Sequence, residues 1–406
     1  LTDFEKLKKR LIEYSKKIGV DKIGFTTSDP FTELKARLYQ QQALGYQSGF
    51  EKKDIEKRTE PSLLMDGVQS IVSIALAYPK KMARHPENTK ANRRGAFARV
   101  SWGRDYHVLL RDCLQKMGEF LAGELPGSKF KNMVDTGELS DRAVAERAGI
   151  GWSGKNTNVI TKEFGSYVYL GEMLTNIPFP PDKPAADLCG DCTLCVDHCP
   201  TGALVQGGQL NSHKCIAFLT QIKQDIPEHY RKAVGNRVYG CDTCQQVCPY
   251  NRDVDSHLHE EMEPDPELAR PLLKPLLSIS NREFKEKFGE LSGSWRGRKP
   301  IQRNAIIALG NYKDVTAAPE MLRLLREDPR PVIRRAAVWS LAKMWDRFED
   351  NERRRICETL QKLLENEEDE KVREGIKHQL AASGNQLTLT VISQKKNIKR
   401  LGELNE

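Results

Sequence analysis

Cys189-Gly190-Asp191-Cys192-Thr193-Leu194-Cys195-Val196-Asp197-His198-Cys199-Pro200 spaces four cysteines as C-x2-C-x2-C-x3-C, with a proline directly after the last. This is the ferredoxin run, in which three thiolates hold one [4Fe-4S] cubane and the fourth reaches across to a second. Downstream, Cys215 stands alone, and Cys241, Cys244 and Cys248 form C-x2-C-x3-C before Pro249. Eight thiolates make two complete sets of four. The crossed rule gives Cys189, Cys192, Cys195 and Cys248 to one cluster and Cys199, Cys215, Cys241 and Cys244 to the other. Structural zinc prefers two close pairs separated by a spacer, whereas here three thiolates crowd together with a fourth just beyond. Disulfides are disfavoured in a reducing cytosol, and a chain with a full core does not need them. Cys113 and Cys357 sit in helical patterns and read as packing residues.

Outward from this segment the chain divides by pattern. Residues 1–180 read as a mixed α/β domain: Val68 to Leu76 and Ser166 to Leu174 suit buried strands, with helical patterns at Asp105 to Leu121 and Asp141 to Ala148 between them. The proline-rich stretch Asn176 to Pro184 marks a boundary. Residues 181–260 form the ferredoxin-like two-cluster domain, and 261–300 an acidic, proline-bearing connector. From 301 to 385 the pattern is helical and self-similar. Arg303-Asn304-Ala305-Ile306-Ile307-Ala308-Leu309 is echoed by Arg335-Ala336-Ala337-Val338-Trp339-Ser340-Leu341 and more faintly by Glu374 to Leu380. Paired helices at a period near that of HEAT repeats imply a short solenoid, with a helical cap on the cluster domain as the plainer alternative. Residues 386–406 form a tail. The fold class expected is therefore α+β and multidomain: a mixed α/β domain, a ferredoxin-like domain and α-helical HEAT-like repeats.

With 406 residues, 39% of them hydrophobic and 30% charged, the composition is globular. No apolar run approaches the roughly 20 residues that span a bilayer. The first helix candidate starts with Thr2 and Glu5 in capping-box spacing and sets Phe4, Leu7, Leu11, Tyr14 and Ile18 on one stripe interrupted by lysines. It reads as a folded amphipathic helix, so a cytoplasmic protein without a membrane partner is expected. The formal charge of +8 is mild, but basic residues bunch at Lys6 to Arg10, Arg93-Arg94, Arg296 to Lys299 and Lys395 to Arg400. Such bunching attracts a polyanion such as RNA; a solvated face explains it equally well.

Gly149-Ile150-Gly151-Trp152-Ser153-Gly154-Lys155-Asn156 matches G-x-G-x-x-G and nearly matches a P-loop. Context excludes both, because these glycines follow a helix and lead into the strand-like Thr157 to Ile160, and Asn156 stands where a P-loop needs a hydroxyl. The loop admits close approach of a flat cofactor, or is a helix C-cap followed by a turn. Clusters deliver single electrons, so a further redox cofactor is required at the N-terminal domain.

The stretches Arg99-Val100-Ser101-Trp102-Gly103-Arg104-Asp105-Tyr106-His107, Val134-Asp135-Thr136, Arg142 to Trp152 and Gly235 to Asp242 resemble the epoxyqueuosine reductases, and the likeness runs into the repeats. The resemblance implies a cobalamin beside the two [4Fe-4S] clusters, and reduction of the epoxide of epoxyqueuosine in a tRNA anticodon to the cyclopentene of queuosine. It assigns Asp135 as the general acid that protonates the departing oxygen. By the same likeness, cofactor contacts fall to Arg58, Arg99, Asp135, Gly151, Gly154, Lys155, Asn156 and Asp242. Two departures stand in the sequence: the family's R-x-D-P is Arg58-Thr59-Glu60-Pro61, and its R-Y-A is Arg99-Val100-Ser101. The D-x-H-x-x-G signature of histidine-ligated cobalamin is missing, since Leu110 and Glu260 replace its glycine after Asp105-Tyr106-His107 and Asp255-Ser256-His257. Expected partners are the anticodon stem-loop, held in part by Arg296, Arg298 and Lys299, and an external low-potential electron donor; the chain is expected to be a monomer. Two other classes stay open on sequence: a reductive dehalogenase, whose usual twin-arginine signal is missing from this N-terminus, and a non-catalytic ferredoxin-like carrier.

Overall fold

A computed structural model describes residues 3–382. Thr2 of the expected capping box, the basic run Lys395 to Arg400 and the tail lie outside them.

The N-terminal region is built on a four-stranded sheet of β1 (Lys22–Thr27), β2 (Ser70–Ala77), β3 (Phe130–Met133) and β4 (Val168–Thr175), in the order β1-β2-β4-β3. Every pairing is antiparallel, with Phe25 opposite Val72 and Val72 opposite Met173. All of β2 is buried, which explains its unbroken β-branched run; a strand covered on both faces has no polar side to alternate with. One face is covered by α1 (Asp3–Lys17) and α2 (Tyr106–Glu124), through Leu11, Leu110, Leu114, Met117 and Leu121. Tyr14 stacks on Phe120 with ring centroids 4.5 Å apart. The short helix α3 (Asp141–Arg147) and Phe31 cover part of the other face.

The helical repeats form α4 (Arg298–Tyr312), α5 (Ala318–Glu327), α6 (Pro331–Met344) and α7 (Asp350–Asn366), with 370–382 helical again. The two strong sequence echoes lie on α4 and α6, which pack against each other. Their hydrophobic core continues without a break into the cysteine-rich region, joining Ile216, Leu219 and Val238 to Leu273, Phe288, Ile306 and Leu341. The connector is therefore not a loose link; its helices Leu273–Ser278 and Asn281–Phe288 are part of that core.

A polar knot fixes the junction. Arg303, 1% exposed, donates to the carbonyls of Leu219, Ile222 and Gln224, while Asn304 donates to Thr220 O and Val238 O, both at 2.8 Å. A buried guanidinium is tolerated only when so satisfied. The repeated arginine, Arg335, extends the tie to Asp225 at 2.6 Å.

Candidate active site and cluster sites

Cys189, Cys192, Cys195 and Cys248 line a single cavity of about 230 Å³, with Lys155 and Asn156 in the same wall. Cys195 sits on the helical turn Leu194–Asp197 and Cys244 on its counterpart Thr243–Gln246, and the two turns pack together. Burial raises the Cys195 thiol, with Cys189 and Cys248 as charged neighbours; burial also raises Cys248, beside Cys189 and Cys192. In the other set, burial pushes Cys215 up to about 11, with Cys241 and Cys199 adding to it. Cys244 is raised further by burial, beside Cys241 and Cys215. Cys199 is lowered despite its burial, because backbone N–H groups point at its sulfur, that of Ala203 at 3.2 Å. Four of the eight thiols thus share one cavity, while Cys215 and Cys244 lie nearest Cys241 and Cys199, with Cys195 also within reach of Cys244. Among the described residues no three His, Cys, Asp or Glu side chains converge on a single ion; the first group instead stands around the walls of its cavity.

The glycine loop turns out to serve this first cavity. Gly149 ends α3 with φ +77°, and Trp152–Ser153 pairs with Val159–Ile160 as a hairpin. A Cβ on Gly151 would lie 2.3 Å from Ile160 O, and one on Gly154 would lie 2.4 Å from Ile160 Cδ1, so the hairpin itself requires both glycines. The hairpin delivers Trp152 Nε1 to 3.4 Å from Cys189 Sγ and Lys155 Nζ to 2.5 Å from Gly190 O. Asn156 Nδ2 is buried with no partner.

The second centre is at the end of β3. Asp135 adopts φ +50°, left-handed for a non-glycine residue, and its N–H donates to Asp141 Oδ2 at 2.7 Å. Burial lifts the Asp141 carboxyl to about 6. Behind it Glu172, fully buried on β4, is raised well above the usual range by burial and by Asp141, and neither of its oxygens has a well-aligned partner. Glu172 is therefore the neutral member of this pair. On the other side His107 Nδ1 is 2.7 Å from Asp105 Oδ1, and its Nε2 is 3.4 Å from Asp135 Oδ2 without hydrogen-bond alignment. Asp105 first, then Asp135, raise the imidazole to about 9, so His107 carries a proton at neutral pH. Tyr106 stacks on Tyr169 at 4.4 Å and Tyr169 on Tyr78 at 4.3 Å, an apolar wall beside these charges.

The remaining expected contacts divide. Arg99 and Asp242 are paired with each other at 2.8 Å, and the Arg99 backbone N–H also donates to Asp242. This pair ties the N-terminal region to the cysteine region. Arg58, half-buried, faces Arg142 with Glu51 as counter-charge; burial first, then the like charge, lowers its pKa, a strain that an anionic ligand group would relieve. Asp141 and Glu172 were not singled out from sequence, and His107 was weighed there only against a cobalt-ligand signature. A glutamate inside the apolar strand Val168–Thr175 is the one available signal, because an unpaired carboxylate is costly in such a place.

Three family models match: epoxyqueuosine reductase QueG, DUF1730, over residues 58–136, a 4Fe-4S double cluster binding domain over 188–251, and HEAT repeats over 296–381. An epoxyqueuosine reductase of Bacillus cereus is 61% identical over 370 residues, covering 91% of this chain and 96% of its own. That of Escherichia coli is 32% identical over 351 residues, covering 85% and 91%. The chain belongs to the epoxyqueuosine reductase family. A crystal structure of an epoxyqueuosine reductase with a tRNA-Tyr epoxyqueuosine-modified tRNA stem loop superposes with a TM-score of 0.90 at 58% identity, covering 93% of this chain and 99% of that one. A Bacillus subtilis epoxyqueuosine reductase whose aspartate-bearing catalytic loop is swung out of the active site superposes with a TM-score of 0.89 at 57% identity, with the same coverage.

Epoxyqueuosine reductases are iron-sulfur and cobalamin oxidoreductases, and the residues here fit both groups. Cys195, Cys215, Cys244 and Cys248, raised by burial, resist ionisation unless a cationic cluster neutralises them. At the second centre Arg58, partly buried and crowded by Arg142, would hold an anionic group of the cobalamin, and the cofactor would supply the electron-rich metal there.

Proposed function

We propose that this reductase removes the epoxide oxygen of epoxyqueuosine in a tRNA anticodon loop, leaving the cyclopentene of queuosine, the last step of queuosine biosynthesis. It acts in the cytoplasm as a monomer and draws electrons from an external low-potential donor; among the described residues no helix is long and apolar enough to cross a membrane. The observation that carries the reading is Asp135, set on a left-handed turn beside a protonated histidine, in a domain coupled directly to two groups of four thiols. The net change takes up two electrons and two protons and releases water. When bound, the clusters pass single electrons and the cobalamin supplies the electron-rich metal that opens the epoxide.

The chain's own residues manage the proton and the RNA. Asp135, its carboxyl 62% exposed, faces the open side and protonates the oxygen as the ring opens. His107 stands behind it as the proton source. Asp141 holds the Asp135 N–H and so keeps the loop turned in, which matches the swung-out loop of the Bacillus subtilis relative as the alternative state. Cys189, Cys192, Cys195 and Cys248 ligate one cluster; Cys199, Cys215, Cys241 and Cys244 ligate the other. Arg58 and Arg142 offer charge to an anionic group of the cofactor. Arg296, Arg298 and Lys299 contact tRNA phosphates; Lys299 has its pKa lowered by partial burial and by crowding against Arg330, Lys223 and Arg303, which a polyanion would relieve.

The reading is tested with reconstituted protein, a chemical reductant and an epoxyqueuosine-bearing stem-loop: the nucleoside must lose one oxygen by mass spectrometry. An unchanged nucleoside mass with fully reduced protein refutes it. The proton relay gives a separate expectation. Donation requires the protonated imidazole, which is lost as pH rises through about 9, so kcat/KM should fall on the alkaline side with an apparent pKa near that value. His107→Gln should abolish this limb; a limb that persists unchanged excludes His107 as the source.

A further inference from the structure

Three parts of the chain bring aromatic rings, two of them exposed, to one place on the surface. Phe50, 40% exposed, comes from the loop after the helix Thr32–Ala43; Trp295, 54% exposed, comes from the turn that leads into α4; Phe218 comes from the helix Ile216–Leu219 beside the cysteines. Phe50 meets Trp295 edge to face at 5.3 Å and lies tilted against Phe218 at 5.1 Å. The Arg296 guanidinium lies 4.9 Å from the Phe50 ring and 4.8 Å from the Trp295 ring.

The cluster is held in place. Trp295 Nε1 donates to Gln221 Oε1 at 2.9 Å, and Arg296 Nε donates to Gln221 O at 3.1 Å. The Phe50 loop is braced by Ser48 and Glu51, which bond one another, and by Tyr46 O accepting from Ser212 N at 3.1 Å. Two large aromatics left exposed in a fixed geometry are not accounted for by core packing, since burying them would have been favourable.

Two links run from the cluster toward the active centre. Gln221 Oε1 is shared with Tyr239 OH at 3.4 Å, and Tyr239 feels the charges of Asp135 and Asp105. On the other side Glu51, next to Phe50, faces Arg58. Arg298 and Lys299 follow within the same turn of chain.

We infer that Phe50, Trp295 and Arg296 form a stacking platform for an unpaired nucleobase of the RNA substrate, a base flanking the modified nucleotide rather than that nucleotide itself. The inference rests on the tRNA reading above and adds to it the surface that splays the loop. An aromatic face stacks on any base, and a guanidinium between two rings adds cation–π attraction and neutralises the adjoining phosphate. A modified base in an anticodon loop reaches Asp135 only if its neighbours are pulled out of the loop's own stack, and a fixed aromatic surface at the rim of the site provides the alternative stacking partner. A hydrophobic protein partner is the competing occupant; the cationic surroundings of Arg296, Arg298, Lys299 and Lys223 favour RNA.

Stacking and phosphate contacts leave different marks on binding. Trp295→Ala and Phe50→Ala, measured by fluorescence anisotropy with an epoxyqueuosine-bearing anticodon stem-loop and the full chain, should each weaken binding roughly 5- to 100-fold. The slope of log Kd against log salt should stay as in the wild type, because no counterion is involved. Trp295→Phe should recover most of the affinity. Replacing Arg298 and Lys299 together should instead flatten the slope by roughly one unit per lost contact. A fully paired RNA duplex should bind the wild type and Trp295→Ala alike. If Trp295→Ala and Phe50→Ala bind the stem-loop as the wild type does, or lose affinity for the duplex equally, there is no stacking platform, while the tRNA reading stands. If the wild type itself does not bind the stem-loop, the tRNA reading falls and the platform with it.

Discussion

Replacing Asp135 by Asn is expected to reduce turnover by roughly two to four orders of magnitude while the protein stays folded and fully loaded. The amide keeps the shape of the side chain and tolerates the left-handed backbone that Asp135 adopts at φ +50°, so the loop need not move. Its N–H still donates to Asp141. What is lost is the carboxyl oxygen Oδ2, 3.4 Å from His107 Nε2, through which a proton reaches the oxygen as the epoxide opens. Stem-loop affinity, cluster absorption and cobalamin content serve as controls and should match the wild type. Asp135→Gly sharpens the reading, because glycine relieves the left-handed strain: the variant should be equally or slightly more stable to heat and yet inactive. Activity within tenfold of wild type in Asp135→Asn removes Asp135 as the proton donor and moves attention to His107.

How much of this was legible in the sequence depends on the kind of signal. The cysteine spacing is a local code, and four of its thiols, from positions up to 59 residues apart, Cys189 and Cys248, line one cavity of the fold. The buried strands β2 and β4 were legible because full burial leaves a continuous apolar run, and the repeats because they echo one another. The strand β1, which opens the sheet, was not, since Lys-Ile-Gly-Phe-Thr-Thr has neither an apolar run nor a clean alternation and is placed by its pairing with β2. The glycine loop was legible as a loop, but that its hairpin sets Lys155 and Asn156 in the wall of the first cysteine cavity was not. The Arg99–Asp242 pair shows the same limit, as two charged residues 143 positions apart declare their partnership only in the fold. The acid pair Asp141–Glu172 is likewise an outcome of β4 passing behind α3, and nothing in either local sequence announces it.

The second large effect is expected from Cys215→Ala. Cys215 is the isolated cysteine, set at the start of the helix Ile216–Leu219 and beside Cys241 and Cys199. Without it one cubane keeps three thiolates, and the fourth iron is left to solvent or lost. Anaerobically reconstituted wild type should hold about eight irons per chain and the variant between four and seven, with one cluster signal altered by electron paramagnetic resonance and the other intact. Turnover should fall to near background, because electrons entering one at a time must be passed through both centres. Cys113→Ala is the matched control. Cys113 is also a buried thiol, pushed up to about 11 by burial, but it lies on α2, among the apolar residues packed against β2 and β4, away from both groups. Its loss should cost about 1 kcal/mol or so of packing and no iron at all. Equal damage to both clusters in Cys215→Ala would contradict the crossed grouping, since the first set, Cys189, Cys192, Cys195 and Cys248, keeps all its thiols and its cavity in that variant. Selective loss, by contrast, would separate the two centres functionally and show that the intact one cannot sustain reduction alone.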